Sequence, residues 1–491
     1  MSNKVEPLVP VIRRLPADGM TPVRLLRILR GLSKRCYLMD SSIDAEEGRH
    51  WARFAALGFD PSMELVLKDG VLEVQTPAAS VRYACKDPLS VVKEILREHP
   101  AKEPDPEVCA KEDLPPFTGG FFGYFSYAFI QYVAPDIRWS GADREQYRDM
   151  DLMLFDRLFV FDRQNDEILL IVNVPESTCS AEGGARANAQ LDAMEHIVRK
   201  GDADRLEPLK LKEAFHPLFA LDRYVGMVEE AKAAIERGDV CQIVLSNGST
   251  AEAEGTLVDT YEVLRRINPS SYTFYFSSDD LEAAGGSPET MLKLSGGKLF
   301  TYPLAGTNPR GKTPEEDKAL MEELLADPKC QDEHNMLVDD ARNELGAISR
   351  IGSVKVERYR DIIRCSHVMH IGSVVTGELA EGKTAVDAIA MMVPAGVVSG
   401  SPKERGCEII SAIEGDRRGI YGGALGYLAF NGDADICIFF RTACLHQGSV
   451  TVRAGGGIVI DSNAATEHRE CLNKAEAVVK ALKEADRSET S

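Results

Sequence analysis

The chain has 491 residues, 44% of them hydrophobic and 27% charged, enough for one large core or two closely packed units. Its 77 acidic residues against 57 basic ones give a formal net charge of −20, which repels the nucleic-acid backbone and anionic membrane rather than attracting them. The N-terminus has no apolar run of signal-peptide length and no stretch of 18 uninterrupted apolar residues occurs elsewhere, which predicts a cytoplasmic protein, and eleven scattered cysteines with no CxxC pair read as reduced thiols.

The first two hundred residues predict short antiparallel strands. Glu64–Leu67 and Val71–Val74 flank a Lys68-Asp69-Gly70 turn, and Leu158–Phe161 and Ile168–Val174 flank a polar one. Between these hairpins, Gly119-Gly120-Phe121-Phe122-Gly123-Tyr124 joins strand aromatics to glycines that let backbones approach, as in a packed sheet crossing. Loop signals are strongest in PESTCSAEGG (175–184) and around Gly201–Lys212, on either side of a helix predicted over Ala185–Arg199. A boundary near 205 divides the chain into an N-terminal region, 1–205, and a C-terminal region, 206–491. Beyond it, Val225, Val228, Ala231 and Ile235 recur at helical spacing over Tyr224–Arg237, with Gly238 in the C′ position. Val240–Leu245 follows as a buried strand. Met291–Leu294 and Leu299–Tyr302 bracket Gly296-Gly297 as a hairpin, and Asp327 and Pro328 fit the N-cap and N1 of a helix over Lys329–Leu345. Val354–Glu357 and Ile371–Thr376 read as strands, and the chain closes in a helix over Ala465–Ala485.

On that last helix Glu467, Glu470 and Lys474 share one face, opposite Leu472, Ala475, Val479 and Leu482. Such a face is either solvated charge or a pair of carboxylates aimed at a hard cation, since magnesium takes oxygen ligands and keeps positions for water or substrate. Glu333, on the Lys329–Leu345 helix, is a further oxygen donor. Gly455-Gly456-Gly457 interrupt a strand, as a bulge or as a place where peptide N–H groups meet a carboxylate. Tyr427 is equally a core residue or a contact.

Together, PLAGTNPRG (303–311), DEHNMLVDDARNELG (332–346), HVMHIGS (367–373), SGSPK (399–403), RRGIYGGALGY (417–427), DADICIFFRTA (433–443) and ECLNKA (470–475) resemble the chorismate-utilising enzymes. The likeness runs nearly unbroken from Asp222 to the C-terminus. TPVRLLR, LMDSSID, FAALGFDP and FTGGFFGYFSY resemble, more faintly, the large subunits of anthranilate synthases. This resemblance implies an α/β (α+β) fold, an antiparallel β-sandwich flanked by helices, with the active site in the C-terminal two-thirds. It also implies magnesium-dependent amination of chorismate and loss of pyruvate to give anthranilate for tryptophan biosynthesis. Ammonia would come from a glutamine amidotransferase subunit, because the chain has no glutaminase triad of its own. The alternatives are an aminodeoxyisochorismate synthase that stops before pyruvate is lost, and an inactive paralogue.

Two positions separate the family's branches. Members that add water carry a lysine at the place of Gln242, where a desolvated amine can activate water; ammonia needs no such help. Members that hold the ring covalently carry a lysine at the place of Ala305. Carried over from the family, Glu333 and Glu470 hold magnesium against the ring carboxylate, with Glu467 nearby. Tyr427, Arg441 and the amides of Gly455, Gly456 and Gly457 hold the enolpyruvyl carboxylate, and Lys474 adds positive charge. Glu289 protonates the departing C4 hydroxyl, His370 serves the loss of pyruvate, and Thr307 borders the substrate. The family's tryptophan pocket maps to Ser41, Ser271, Tyr272 and Thr273. Departures from the family pattern fall at Asn308, Cys330, Val397 and Gly455–Gly457, where a lost hydroxyl or carboxylate beside a charged substrate alters its pose.

Overall fold

The computed structural model describes residues 5–41, 53–102, 114–179, 181–364 and 368–487. Residues 42–44 of LMDSSID and His367 of HVMHIGS lie outside that set. Among the described residues the strands form two large sheets, of thirteen and twelve strands, and every ladder between named strands is antiparallel.

The sheets pack face to face through aromatic side chains. Tyr37 of the first sheet stacks on Phe122 of the second, with ring centroids 3.9 Å apart, and Tyr124 of the second meets Phe276 of the first edge-on at 5.5 Å. Glycines make such closeness between strands possible: a Cβ on Gly123 would sit 1.9 Å from the Asp151 carbonyl oxygen, so the 119–124 aromatics do mark a packed crossing. Helices cover both outer faces. Pro22–Leu32, Val258–Ile267 and Ala464–Arg487 bury their apolar stripes on the first sheet; Pro88–Glu98, Pro328–Ile348 and Ala385–Met392 do so on the second. Helix, sheet, sheet and helix thus form the flanked sandwich that the family likeness implies.

Strands from either side of residue 205 share both sheets. Cys36–Asp40 pairs with Tyr272–Ser277 in the first, and Gly120–Phe125 pairs with Ala424–Ala429 in the second. The expected hairpins appear over Met63–Gln75, Arg157–Pro175 and Thr290–Thr301. Asp327 caps its helix as read, its carboxylate accepting from the Lys329 and Cys330 N–H groups, and Gly238 takes a left-handed φ of 76° after its own. Two expectations need correction. Residues 175–184 are not all loop: Glu176–Cys179 form a 3-10 turn and the helix begins at Ala181, because Ala187, Leu191, Met194 and Val198 dock it on the first sheet. The strand expected over Val240–Leu245 runs instead over Gln242–Glu254, its polar second half held by pairing with Ser449–Ile458. Among the described residues no helix is long and apolar enough to cross a membrane.

Candidate active site

Two neighbouring chain segments cross from one sheet to the other. Strand Leu281–Ser287 of the first sheet continues through Pro288 and Glu289 into Thr290–Ser295 of the second; Ala434–Ile438 of the second continues through Phe439–Arg441 into Thr442–His446 of the first. Each limb of one crossing pairs with a limb of the other. A cavity of about 270 Å³ opens beside them. Gln242, Glu289, Thr307, Glu333, His370, Arg441, Gly455, Gly457 and Lys474, drawn from distant parts of the sequence, all line it.

Glu289 sits at the cavity wall, and loss of water pushes its carboxyl up to about 8, an effect that the nearby Arg441 charge only partly offsets. The group therefore keeps its proton at neutral pH. His370 moves the other way: burial, together with Arg441, lowers it below the usual imidazole range. Its Nδ1 lies 2.9 Å from the Gly306 carbonyl oxygen and 3.1 Å from Thr307 Oγ1. A carbonyl only accepts, so Nδ1 carries the proton and Nε2 is left as the basic nitrogen. Local sequence builds this contact. Strands Leu304–Pro309 and Val368–Glu378 slip register between Ala305 and Asn308, and Gly306 takes a φ of 66° at the slip, turning its carbonyl onto His370.

Two helices bring further charged groups to the cavity, with Glu333 and Lys474 on its lining. Glu333 projects from Pro328–Ile348, and Glu470 and Lys474 from Ala464–Arg487, with Lys474 Nζ 2.7 Å from Glu470 and 3.2 Å from the Gly455 carbonyl oxygen. Desolvation raises the Glu333 carboxyl; Lys329 and Lys474 pull it down and Glu470 adds to the rise, so these charges lie within reach of one another. Among the described residues no three His, Cys, Asp or Glu side chains converge as a preformed metal cage. Glu467 stands one turn away, accepting from Ser462 Oγ at 3.0 Å.

Several assignments made from sequence are corrected by placement. Tyr427 does not face the cavity: it is 2% exposed, with its ring stacked on Phe117 at 4.5 Å inside the sandwich. The tyrosine that lines the cavity is Tyr421, six residues earlier, and its hydroxyl lies so close to Gly455 that a Cβ there would sit 2.5 Å away. Strand alternation gives Gly455 and Gly457 to the cavity and turns Gly456 towards the terminal helix, where a Cβ would meet Glu467 at 3.0 Å. Of the departures, Val397 lines the cavity together with Gly455 and Gly457. Asn308 Nδ2 donates to the Leu320 carbonyl at 2.9 Å, and Cys330 packs behind Gly306 beside Leu324, both away from the cavity. Gln242 does line it, with Ala305. Sequence reading missed Asp340 and Arg453, whose cavity-facing position no local pattern signals.

The expected tryptophan-pocket residues gather elsewhere. Pairing of Thr273 with Asp40 sets Ser41 beside Ser271–Thr273. Tyr272 is a poor pocket residue, because its hydroxyl donates to Asp435 at 2.6 Å and its ring is buried between the sheets.

The family described as chorismate binding enzyme matches residues 36–480. Proteins named anthranilate synthase component 1 from Aquifex aeolicus and Pseudomonas aeruginosa are each 36% identical to this chain, over 98% of it and 96% of their own length. The crystal structure of anthranilate synthase component I from Streptococcus pneumoniae superposes with a TM-score of 0.76 at 34% identity, covering 89% of this chain and 93% of that one. The menaquinone-specific isochorismate synthase of Escherichia coli, at 19% identity, shares the fold with a TM-score of 0.70 over 98% of this chain and 96% of its own.

Proposed function

This chain belongs to the chorismate-binding enzymes and, within them, to the anthranilate synthase component I proteins, and we propose that it aminates chorismate with ammonia and expels pyruvate to leave anthranilate, a lyase reaction of tryptophan biosynthesis. The observation that carries this reading is the presence, in one cavity, of a carboxyl that holds its proton at neutral pH and a neutral imidazole whose Nε2 is free to accept one. In the first half, ammonia bonds to ring C2, the double bonds shift, and the C4 hydroxyl departs as water with the proton of Glu289. In the second, His370 Nε2 takes the C2 proton while the C3–oxygen bond breaks, and the enol of pyruvate leaves an aromatic ring. Gln242, an amide with no basic lone pair, suits an amine nucleophile better than water.

Magnesium fits the donors present: Glu333 and Glu470 are oxygen ligands within electrostatic reach, and a divalent cation would offset the desolvation, and the smaller repulsion from Glu470, that raise Glu333. When bound, the ion neutralises the ring carboxylate. Arg441, Tyr421 and the Gly455 backbone, all on the cavity lining, suit the second carboxylate. A glutamine amidotransferase subunit would supply ammonia, as the component naming of the relatives suggests. Those relatives favour the full reaction over one that stops at the amine adduct.

Incubating the purified chain with chorismate, magnesium and ammonium while following anthranilate fluorescence and pyruvate release tests the proposal. Both signals are expected. Chorismate consumed with neither appearing would replace it with the adduct-forming reaction, and no consumption at all would leave a binding protein.

A further inference from the structure

Two arginines are buried near the cavity, and the fold treats them differently. Arg418 is saturated: its guanidinium donates to Glu414 at 2.9 and 2.6 Å and to the Val398 and Val244 carbonyls at 2.7 and 2.5 Å. Arg453 is 6% exposed, yet among the described residues its Nε and Nη1 have no hydrogen-bond partner. Its one ion pair, Nη2 to Glu145, is long at 3.4 Å. A buried cation left this incompletely bonded is costly and calls for a partner that the protein does not itself provide.

Placement says what that partner is. Arg453 shares the cavity-facing side of strand Ser449–Ile458 with Gly455 and Gly457 and lines the same cavity as Tyr421 and Arg441. Its charge is felt at the Tyr421 hydroxyl. Among the described residues this strand is paired after Val452 only with Gln242–Glu254, so its other edge is left to the cavity.

Resting on the chorismate reading, we propose that Arg453 is a second cationic contact for the substrate, gripping the enolpyruvyl carboxylate from the side opposite Arg441, with the Tyr421 hydroxyl and the Gly455 N–H between them. Two guanidinium groups make this end of the cavity selective for a dianion over a ligand with the ring carboxylate alone.

Steady-state kinetics on Arg453→Met, Arg453→Lys and Glu145→Gln tests this. Arg453→Met is expected to raise KM for chorismate about tenfold or more while kcat changes less than about threefold. Arg453→Lys should recover part of the loss, and Glu145→Gln should leave KM near wild type. If Arg453 merely holds Glu145, Arg453→Met and Glu145→Gln would lower Tm alike and leave KM unchanged, and the proposal falls while the chorismate reading stands. Should Arg453→Met not fold, a wild-type KM in Arg453→Lys would refute the contact and a raised one would support it. A wild-type chain that does not turn over chorismate takes both readings down together.

Discussion

Glu289 and Arg441 occupy paired crossings between the two sheets, tied by the Ile438 N–H donating to the Glu289 carbonyl at 3.2 Å and the Gly286 N–H to that of Arg441 at 3.4 Å. The pairing fixes a proton-bearing carboxyl beside a guanidinium with backbone precision, and Arg441 accepts a left-handed φ of 42° to achieve it. The acid is therefore positioned by the architecture rather than by a flexible loop.

Glu289→Gln should lower kcat by roughly 10² to 10⁴, as loss of a general acid does. In the wild type the protonated form works, so the rate should fall as pH rises through about 8. Stability carries the same sign. Between the ordinary glutamate range and about 8 the folded chain holds a proton that the unfolded chain has released, so stability declines as pH rises across that window. Thermal melts across pH should show a flatter dependence in Glu289→Gln.

His370→Asn should uncouple the two halves of the reaction. Chorismate disappearance would persist while anthranilate fluorescence drops by about a hundredfold. Because burial lowers the His370 pKa, its base form survives into acid, and the elimination rate should decline only below the ordinary imidazole range. Gly306→Ala should act on the same contact from behind: its φ is left-handed and the new Cβ would lie 2.9 Å from Leu324. A lower Tm and a His370→Asn-like product pattern are expected.

Glu333→Gln and Glu470→Gln should each abolish turnover at limiting magnesium, and excess metal should rescue them in part. Normal activity in Glu470→Gln at limiting magnesium would remove that residue from the metal site. Glu467→Gln, whose carboxylate is engaged by Ser462, should have the mildest effect of the three.

Tryptophan should inhibit weakly. Tyr272 is committed to Asp435, and the proline and methionine of the family motif are replaced by Ser271 and Thr273. Each fully buried apolar side chain lost from an indole pocket removes roughly 1.5–3 kcal/mol of binding, tenfold or more in affinity. Inhibition curves showing tight, cooperative control at low micromolar tryptophan would overturn this.

Local sequence was enough for most single elements and for the chemistry on offer. Asp327 and Pro328 start a helix wherever they stand, Gly296-Gly297 turn a hairpin, and Glu467, Glu470 and Lys474 share a helix face by periodicity alone. The family likeness supplied the fold and named many of the polar residues that line the cavity. What the tertiary structure decided is which member of a pair faces substrate. Tyr421 and Tyr427 lie in one glycine-rich stretch, and only the crossing of the two sheets sends the first to the cavity and the second into the aromatic core. Asn308 and Cys330 read as active-site departures because they neighbour motif residues in sequence, yet a strand and its packing turn them away. Arg453 looks like any strand arginine until burial strips it of water without giving it a full set of partners. Propensity and spacing act over a few residues and are written locally; side-chain direction, desolvation and charge pairing depend on strands hundreds of residues apart, so they exist only once the sheets have closed.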